Sequence, residues 1–394
     1  MRTPALAALL QTVQRLWPGA GVEVVRDRRV DPTALAEFVL LPDARRPRLL
    51  LPAHRRGAAG SVVRFSAAAR RTEVASRLGA ATALRLGGLT ALPERIRVHA
   101  GASTGDSLAD YLARALGQER VTFSLSIGPA RVNRKPVLQV FGADGASLGF
   151  AKLGDNPVAR EHVAAEAQAL GRLAQHRFHR LRVPRVLHAG EWDGVLVLVQ
   201  EELRPSSFAV LRGRQPVPVA AMRELSQAFA APPAPVSELP WWERSRRLVG
   251  TAPDAALRDR FEAAMRALAA DRPEPVPVGA WHGDWTAWNM ALGSGGELLV
   301  WDWERFETGV PDGFDELHYW VCDSTVARGI NRDALLAGLR EAGADPSSPA
   351  QSPAAAYLVA VGSRYLAMSA APDGELISAR AWATLEALEE WLGR

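Results

Sequence analysis

The sequence predicts an α+β protein that has a small β-rich lobe, a larger helical lobe and an extra α+β module in front of both. Three observations support this prediction. Strand-like segments and one helix fall together within residues 121–175, the periodicity is helical from residue 216 onward, and one β-rich island interrupts those helices at 281–303. The predicted units are residues 1–120, 121–203 and 204–394.

The small lobe begins with three predicted strands, VTFSLSIG, KPVLQVFG and SLGFAKL, and the turn GADG makes the last two a hairpin. Asn156 and Pro157 then suit the N-cap and the first position of a helix over 157–175. Two further strands are expected at 183–188 and 195–200, with Asp-Gly as the turn between them. A hairpin followed by a helix and a second hairpin therefore forms this lobe.

The large lobe is predicted to be mainly helical. Its helices are expected at residues 218–230, 237–250, 254–270, 313–325, 333–342, 354–371 and 376–393. The β-rich island between them runs from Trp281 to Trp303, and it contains most of the residues that suggest a chemical function.

Residues 1–120 contain an initial helix, a hairpin-like stretch at 38–52 and a helical stretch near 66–86. When residues 38–52 are aligned without gaps with residues 139–153, Asp43 aligns with Asp144 and Leu51 aligns with Lys152. The order of strand, turn, strand and helix is the same in both places. Two interpretations stay open, a degenerate copy of the second hairpin or two unrelated hairpins of similar length.

The composition is that of a folded protein, with 48% hydrophobic and 23% charged residues. No apolar run reaches the length of about 18 residues that a membrane-spanning helix needs. The first residues predict an amphipathic helix rather than a secretion signal. The single cysteine, Cys322, argues against a disulfide framework and a cysteine-based zinc site, so we expect a cytoplasmic protein. The sequence leaves the oligomeric state open.

The distribution of basic residues is uneven. Residues 1–120 hold 19 arginines and no lysine against 10 acidic side chains. These arginines are scattered without interleaved aromatic residues, so the pattern favours a solvated surface over nucleic-acid binding. Only Lys135 and Lys152 are lysines among 47 basic residues, which suggests that a compact charge is needed at one of them.

The segment WHGDWTAWNMALGSGGELLVWDWE, residues 281–304, contains the strongest motif. His282, Asp284 and Asn289 form the pattern H-x-D-x-x-x-x-N, and Asp302 follows an apolar strand. Phosphoryl transfer needs a carboxylate that orients the attacking hydroxyl and oxygen ligands that hold Mg²⁺. Asp284 fits the first role and Asn289 with Asp302 fits the second. We expect His282 to brace the loop by hydrogen bonding.

This segment resembles the catalytic loop and metal-binding strand of aminoglycoside phosphotransferases, choline kinases and related small-molecule kinases. In those families H-G-D-x-x-x-x-N is followed by an apolar strand that ends in Asp, as HGDWTAWN and VWDWE do here. The resemblance implies a two-lobed protein-kinase-like fold and an ATP- and Mg²⁺-dependent transfer to a hydroxyl group of a small molecule. GTP stays an alternative phosphate donor.

The resemblance also implies nucleotide-binding residues. Lys152 would hold the α- and β-phosphates and pair with Glu166 on the following helix. The loop after the first strand of this lobe would cover the phosphates, with Ser126, Asn133 and Lys135 as candidate donors. By position only, Glu201 and Leu203 are candidates for reading the adenine edge.

Substrate-facing residues are predicted around the catalytic loop. Trp285 and Trp288 could present a ring to a sugar or a cation, and Glu304 could face the acceptor. Together with Glu307, Asp312 and Glu316, Glu304 would make an acidic rim that attracts an amine-bearing acceptor, such as an amino sugar or amino alcohol. A neutral sugar or a natural-product-like alcohol is the broader expectation. Asp315 is expected to brace the start of a helix and the loop.

Alternative functions are a catalytically inactive pseudokinase or a nucleotide-binding regulatory module. The intact catalytic and metal-binding residues argue against both. A protein kinase is a weaker alternative because neither D-F-G nor A-P-E occurs in the chain. Sugar kinases that resemble maltokinase also carry an N-terminal extension, but they usually have Gln where this chain has Asn289.

Overall fold

The computed structural model describes residues 3–101, 105–126, 136–214, 216, 218–271, 274–345, 353–370 and 374–394. The chain forms two compact units. The first comprises residues 1–174, 183–215 and 292–294, and the second comprises residues 175–182, 216–291 and 295–394. Asn133 and Lys135 lie outside the described residues. Among the described helices, none is long and apolar enough to cross a membrane.

The strands are β1 (Gly21–Arg26), β2 (Ala36–Leu41), β3 (Leu49–Pro52), β4 (Glu94–His99), β5 (Val121–Ser126), β6 (Val137–Gly142), β7 (Ser147–Gly154), β8 (Leu181–Arg182), β9 (Val186–Trp192), β10 (Val195–Gln200), β11 (Ala231–Ala234), β12 (Val276–Trp281), β13 (Met290–Leu292), β14 (Leu298–Val300) and β15 (Glu307–Pro311).

The helices are α1 (Pro4–Leu16), α2 (Arg55–Val62), α3 (Arg71–Arg85), α4 (Leu108–Ala115), α5 (Pro157–Leu173), α6 (Ser207–Leu211), α7 (Val219–Ala228), α8 (Pro240–Gly250), α9 (Ala255–Asp271), α10 (Phe314–Arg328), α11 (Arg332–Glu341), α12 (Ala354–Ser369) and α13 (Glu375–Trp391). The predicted fold class, a β-rich N-terminal region before a helical C-terminal region, is confirmed.

The first unit is built on one antiparallel sheet with the strand order β1-β4-β2-β3-β5-β6-β7-β10-β9. Strand β3 pairs with β5, so that Leu50 lies opposite Leu125. The sheet is therefore continuous across residue 120, where the sequence predicts a domain boundary. The rings of Trp17, Phe38 and Phe123 pack edge-on or tilted against one another in the core of this unit, at centroid distances of 5.3–5.6 Å.

The second predicted hairpin and its helix are present. Strands β6 and β7 pair around the GADG turn, in which Gly145 has a φ of 74°. The Asn156 side chain accepts a hydrogen bond from the Ala159 amide at 3.0 Å, so it caps α5 as expected. Glu166 is buried on the face of α5 that also buries Leu170 and Leu173.

The first hairpin, β2–β3, differs from the second, β6–β7, at the position where the second carries Lys152. Leu51, which the gapless comparison sets against Lys152, is fully buried. It packs with Val39 and with Ala58 of helix α2. An apolar residue occupies the place of the cation, so residues 38–52 do not repeat the charged arrangement of residues 139–153.

The second unit is mainly helical and contains two small sheets, of strand orders β11-β12-β15 and β13-β14-β8. Its core combines α8–α13 with several tryptophans. Trp241, Trp242 and Trp281 are buried, and Trp241 and Trp281 both pack edge-on against Phe314. Core packing is thus the main role of the tryptophans that cluster in this part of the sequence.

Candidate active site

The loop after β12 reverses sharply at Gly283. This residue has a φ of 81°, and a Cβ atom there would collide with the backbone oxygen of Arg305. Only glycine combines a left-handed backbone with so close an approach. The glycine of the H-G-D motif is therefore a steric requirement of the loop.

We predict that Gly283→Ala displaces the loop. The left-handed backbone alone costs about 1–3 kcal/mol for a residue with a Cβ, and the collision with Arg305 adds to it. Thermal unfolding of the variant should show a clear loss of stability. Gly296→Ala is the matched control, since Gly296 also has a positive φ but no atom within 4 Å of a built Cβ. Equal losses in both variants would contradict a steric role specific to Gly283.

His282 is fully buried and braces the loop. Its Nδ1 accepts the Asp284 amide at 3.2 Å, and its Nε2 lies 3.0 Å from the Trp301 carbonyl oxygen. These partners require a neutral ring with its proton on Nε2, which donates to that carbonyl. Burial lowers the pKa of His282 to about 4, so the ring is neutral at neutral pH, as these partners require. His282 thus has a bracing geometry, as expected.

Asp315 on α10 holds the same loop from the other side. Its carboxylate accepts the His282 amide at 2.7 Å and the Gly283 amide at 3.2 Å. Burial raises the pKa of Asp315 to about 7, although both amide hydrogen bonds act in the opposite direction. The expected bracing role of Asp315 is therefore present in the geometry.

The carboxylate of Asp284 is about one-third exposed and faces Asn289. The Asn289 Nδ2 donates to the Asp284 backbone oxygen at 2.9 Å and to its Oδ2 at 3.0 Å. With Nδ2 used in this way, Oδ1 of Asn289 is its remaining ligand atom. The Trp301 amide donates to the Asn289 carbonyl at 3.1 Å, which ties the loop to the residue before Asp302.

Asp284 also faces a histidine that the sequence analysis did not find. His318 on α10 places Nε2 3.5 Å from Asp284 Oδ1, and its Nδ1 lies 3.1 Å from the Tyr357 hydroxyl. Burial raises the pKa of Asp284, but the hydrogen bond and charge of His318, together with the charges of Arg305 and His282, outweigh it and the net pKa is lowered. The only sequence signal was the spacing of His318 three residues after Asp315, one helical turn away.

Asp302 follows β14 in a left-handed conformation, with a φ of 68° and a ψ of 57°. Among the described residues, Asp193 is the other non-glycine residue with a positive φ, and it lies in a tight turn. Aspartate tolerates this conformation better than most residues, but it is still strained. The strained residue is thus the aspartate that the sequence predicts as a metal ligand.

The two tryptophans predicted near the substrate differ in exposure. Trp285 is fully buried, and its indole donates to the Met290 sulfur at 3.3 Å. Its ring is therefore a core element and does not face an acceptor, which corrects that expectation. Trp288 is 46% exposed and stays a candidate for substrate contact. Glu304 is partly buried.

The predicted acidic rim is largely neutralised. Glu307 forms an ion pair with Arg244 and contacts Arg364 at 3.5 Å, and Glu316 lies 3.4 Å from Arg223. Asp312 is exposed and accepts the following Gly313 amide at 2.9 Å. The structure therefore does not provide the field of unpaired carboxylates that would attract an amine at Glu307 and Glu316.

The first unit contains the predicted cation. The Lys152 Nζ lies 2.7 Å from both carboxylate oxygens of Glu166, and both side chains are buried. The predicted ion pair is thus present. Ser126 is exposed at the end of β5, Leu203 is buried, and Glu201 pairs with Arg185 at 3.1 Å. The Glu201 amide donates to the Arg185 carbonyl, so this backbone donor is already used.

A braced H-G-D loop, an Asn held against its Asp, and a strand that ends in a second Asp are the parts of a kinase-like catalytic segment. Residues 149–312 match the family described as Phosphotransferase enzyme family. This stretch includes Lys152, Glu166, Asp284 and Asp302, so the resemblance predicted from the sequence is confirmed over these residues.

Several solved structures are similar. A protein assigned as a fructosamine-3-kinase from Thermobifida fusca has 18% identity and a TM-score of 0.43, and the match covers 72% of this chain and 99% of that one. A choline kinase from Streptococcus pneumoniae has 13% identity and a TM-score of 0.43, with 71% and 97% covered. A macrolide 2'-phosphotransferase from Brachybacterium faecium has 19% identity and a TM-score of 0.36, with 71% and 96% covered. A search of curated proteins found no match.

Proposed function

We propose that this chain is an ATP- and Mg²⁺-dependent phosphotransferase that phosphorylates a hydroxyl group of a small molecule. One observation carries the proposal. The carboxylate of Asp284 is held ionised and partly exposed on a loop that His282 and Asp315 brace from two sides. A fixed, charged carboxylate is what a hydroxyl needs in order to be oriented and deprotonated.

In the proposed reaction the acceptor hydroxyl donates a hydrogen bond to Asp284. Its oxygen attacks the γ-phosphorus of ATP, the bond to the β,γ-bridging oxygen breaks, and ADP leaves. The hydroxyl proton passes to Asp284, so the products are a phosphate ester, ADP and a proton that is released later. Positioning contributes most of the rate, because phosphoryl transfer requires little covalent chemistry from the protein.

The donor set of the loop fits Mg²⁺. Asn289 offers an amide oxygen and Asp302 a carboxylate, and Mg²⁺ prefers hard oxygen ligands of this kind. When bound, the ion would neutralise phosphate charge. In the same proposal Lys152 holds the α- and β-phosphates, with Glu166 fixing its position. Ser126 and Asn133 stay candidates for phosphate contacts, and Glu201 with Leu203 for the nucleobase.

The acceptor is proposed to be a small, polar molecule with at least one free hydroxyl, such as a sugar, an amino sugar, an amino alcohol or a natural-product-like alcohol. The partly exposed Trp288 could support a ring, and Glu304 is a candidate for a hydroxyl contact. An ATP-consumption screen across these acceptor classes, followed by mass spectrometry of the product, tests the proposal. ATP binding without transfer to any acceptor would instead favour the pseudokinase alternative.

We predict that Lys152→Met weakens nucleotide binding. The variant removes the cation of the buried pair, so no ammonium is left at this position to hold the phosphates. Titration of the whole chain with a non-hydrolysable ATP analogue and Mg²⁺ should give one site in the wild type and at least about tenfold weaker binding in the variant. A parallel GTP-analogue titration separates the two donors.

Two controls accompany this titration. Arg56→Met removes an exposed cation that pairs with Asp144 at 2.9 Å in the same unit, so it should leave nucleotide affinity unchanged. Because Leu51 replaces the cation in the first hairpin, residues 1–120 should add no second site. Two sites of similar affinity, or equal effects of both variants, would contradict the assignment.

A further inference from the structure

The peptide unit between Gly283 and Asp284 is held at both of its polar ends. Its N–H, which belongs to Asp284, donates to His282 Nδ1 at 3.2 Å. Its carbonyl, which belongs to Gly283, accepts from Arg364 Nη1 at 2.9 Å. A trans peptide is planar, so its N–H and C=O point in opposite directions. Contacts at both ends therefore fix the rotation of this plane about the chain.

The rotation of this plane sets the direction of the Asp284 side chain. Turning the plane changes ψ of Gly283 and φ of Asp284 together, and the bond from Asp284 Cα to its carboxylate moves with φ. Gly283 opposes such a turn only weakly, because a residue without Cβ has a wide choice of backbone conformations. The two amides that Asp315 holds, those of His282 and Gly283, precede the Gly283 Cα and do not restrain this plane.

Arg364 contacts the loop from a well-packed helix. Helix α12 is buried along most of its length, with Tyr357 and Leu366 in the core of the unit. The Arg364 guanidinium lies over the buried Trp281 ring, 4.3 Å from its centroid, and contacts Glu307 at 3.5 Å. These contacts hold the guanidinium from two further sides. A donor that is itself held by packing can restrain a backbone carbonyl.

The Arg364 guanidinium is charged at neutral pH. Burial, followed by the charges of Arg305 and Arg244, lowers the pKa of Arg364 to about 9, although the charge of Asp284 acts in the opposite direction. A charged donor makes a stronger hydrogen bond to a carbonyl than a neutral donor does. Arg364 therefore holds the Gly283 carbonyl by a charge-assisted hydrogen bond.

We propose that Arg364 is a positioning residue for the phosphoryl transfer: through the Gly283 carbonyl it holds the peptide plane that directs the Asp284 carboxylate. The inference rests on the proposed function and adds a residue to it. Arg364 lies 81 residues from Gly283 in sequence, and no motif distinguishes it among the 47 basic residues of the chain. Only the packing of α12 brings its guanidinium to the loop.

Arg364→Met tests the proposal, because methionine keeps an unbranched side chain but has no hydrogen-bond donor. The first readout is amide hydrogen exchange of the full chain, measured by NMR without nucleotide or acceptor. We expect the Asp284 amide to exchange at least about tenfold faster than in the wild type, and the Gly283 amide, which Asp315 holds, to stay within about threefold. An unchanged rate at Asp284, or equal acceleration of both amides, would overturn the proposal.

Arg260→Met is the matched control. The Arg260 guanidinium makes the same two kinds of contact, with the Trp382 ring at 5.2 Å and with Glu389 at 2.6 Å. Within the described part of the chain, it forms no hydrogen bond with the catalytic loop. The control should keep the wild-type exchange rate at Asp284. Equal acceleration in both variants would show a general effect of losing an arginine and contradict a specific role of Arg364.

Arg364→Lys provides a second variant in case the methionine variant does not fold. Lysine keeps the positive charge, but its single ammonium replaces the planar fork of the guanidinium. We expect the Asp284 amide of this variant to exchange at least about threefold faster than in the wild type. Thermal unfolding of each variant shows whether it is folded. A wild-type exchange rate at Asp284 in a folded Arg364→Lys would also count against the proposal.

Turnover is the second readout. With the acceptor found in the ATP-consumption screen, Arg364→Met should lower kcat by about 10–100-fold and leave the affinity for an ATP analogue within about twofold. If exchange at Asp284 depends on Arg364 but no acceptor consumes ATP, the proposed function fails while the hold on the peptide stands. If an acceptor is phosphorylated and Arg364→Met keeps kcat within about twofold of the wild type, the function stands and the positioning role fails.

Discussion

Asp284→Asn should lower kcat by about 10²–10⁴-fold while nucleotide affinity stays nearly unchanged. The substitution keeps the size of the side chain, so the contacts of the loop with Asn289 and Asp315 have room to persist. It removes the negative charge that orients the acceptor hydroxyl and accepts its proton. The measurement is steady-state turnover with the acceptor found in the ATP-consumption screen, beside titration with an ATP analogue.

Asp333→Asn is the control for this change. Asp333 is a second aspartate of the same unit, but it is exposed at the start of α11 and pairs with Arg332 at 2.8 Å. Its substitution should leave kcat within about twofold of the wild type, since surface changes of this kind have small effects. Retention of more than about a tenth of wild-type kcat by Asp284→Asn would remove Asp284 from the role of base.

The sequence predicted local features of the site well, because each depends on short-range chemistry. The H-x-D-x-x-x-x-N spacing, the Asn156 cap and the Lys152–Glu166 pair all involve residues that one strand, one turn or one helix brings together. The structure contains each of these contacts. Local periodicity likewise located the helices of the second unit to within a few residues.

Long-range pairing was harder to predict. Strand β3 joins β5 across residue 120, and nothing in either strand alone specifies which edge it will meet. The arginine partners of Glu307 and Glu316 come from α8, α12 and α7, far away in the sequence. Counting carboxylates along the chain therefore predicted an acidic rim, whereas the folded chain brings cations to the same place.

His318 illustrates the same limit beside the proposed base, Asp284. It lies 34 residues from Asp284 in sequence, on helix α10, where it is one of the buried residues. A lone histidine in such a helix is usually a satisfied core residue. Only the fold shows that the ring faces the carboxylate of the proposed base.

We expect His318→Gln to lower kcat/KM by about tenfold or more at pH 6 and less at pH 8. In the wild type, burial raises the pKa of Asp284, and His318 is the largest of the groups that lower it, ahead of Arg305. Glutamine can donate a hydrogen bond but carries no charge, so the effect of burial is opposed less and the pKa of Asp284 rises. The acidic limb of the pH–rate profile should therefore move to higher pH, which a purely structural role would not produce.

His188→Gln is the matched control. The His188 ring also contacts a tyrosine hydroxyl, that of Tyr111 at 2.7 Å, but in the described part of the chain no carboxylate forms a hydrogen bond or ion pair with it. It should leave the acidic limb in place. If the acidic limb of the pH–rate profile is unchanged in His318→Gln, or moves equally in both variants, His318 serves only in packing. Purification and thermal unfolding of both variants exclude misfolding as the cause.

The interaction between Asp284 and His318 also affects the pKa of His318. Burial lowers the pKa of His318, but the Cys322 sulfur and the Asp284 carboxylate raise it to a net value of about 10. Other charged or titratable groups also act on this pair, namely Tyr357, Tyr365, Asp315, His282, Arg305 and Arg364. The ring is therefore charged at neutral pH. Its contribution to stability is complete below its unfolded pKa of about 6.5 and is lost as the pH rises through about 10.

NMR of histidine-labelled protein measures this directly, with the His318 signal assigned by its loss in His318→Gln. In the wild type the signal should stay that of an imidazolium from pH 6 to about 9. In Asp284→Asn the charge that stabilises the imidazolium is gone, so the pKa of His318 should fall. By linkage, each partner must shift the other by the same free energy. A His318 pKa that is the same in the wild type and in Asp284→Asn would show that the two side chains are not coupled, whatever the pH–rate profile shows.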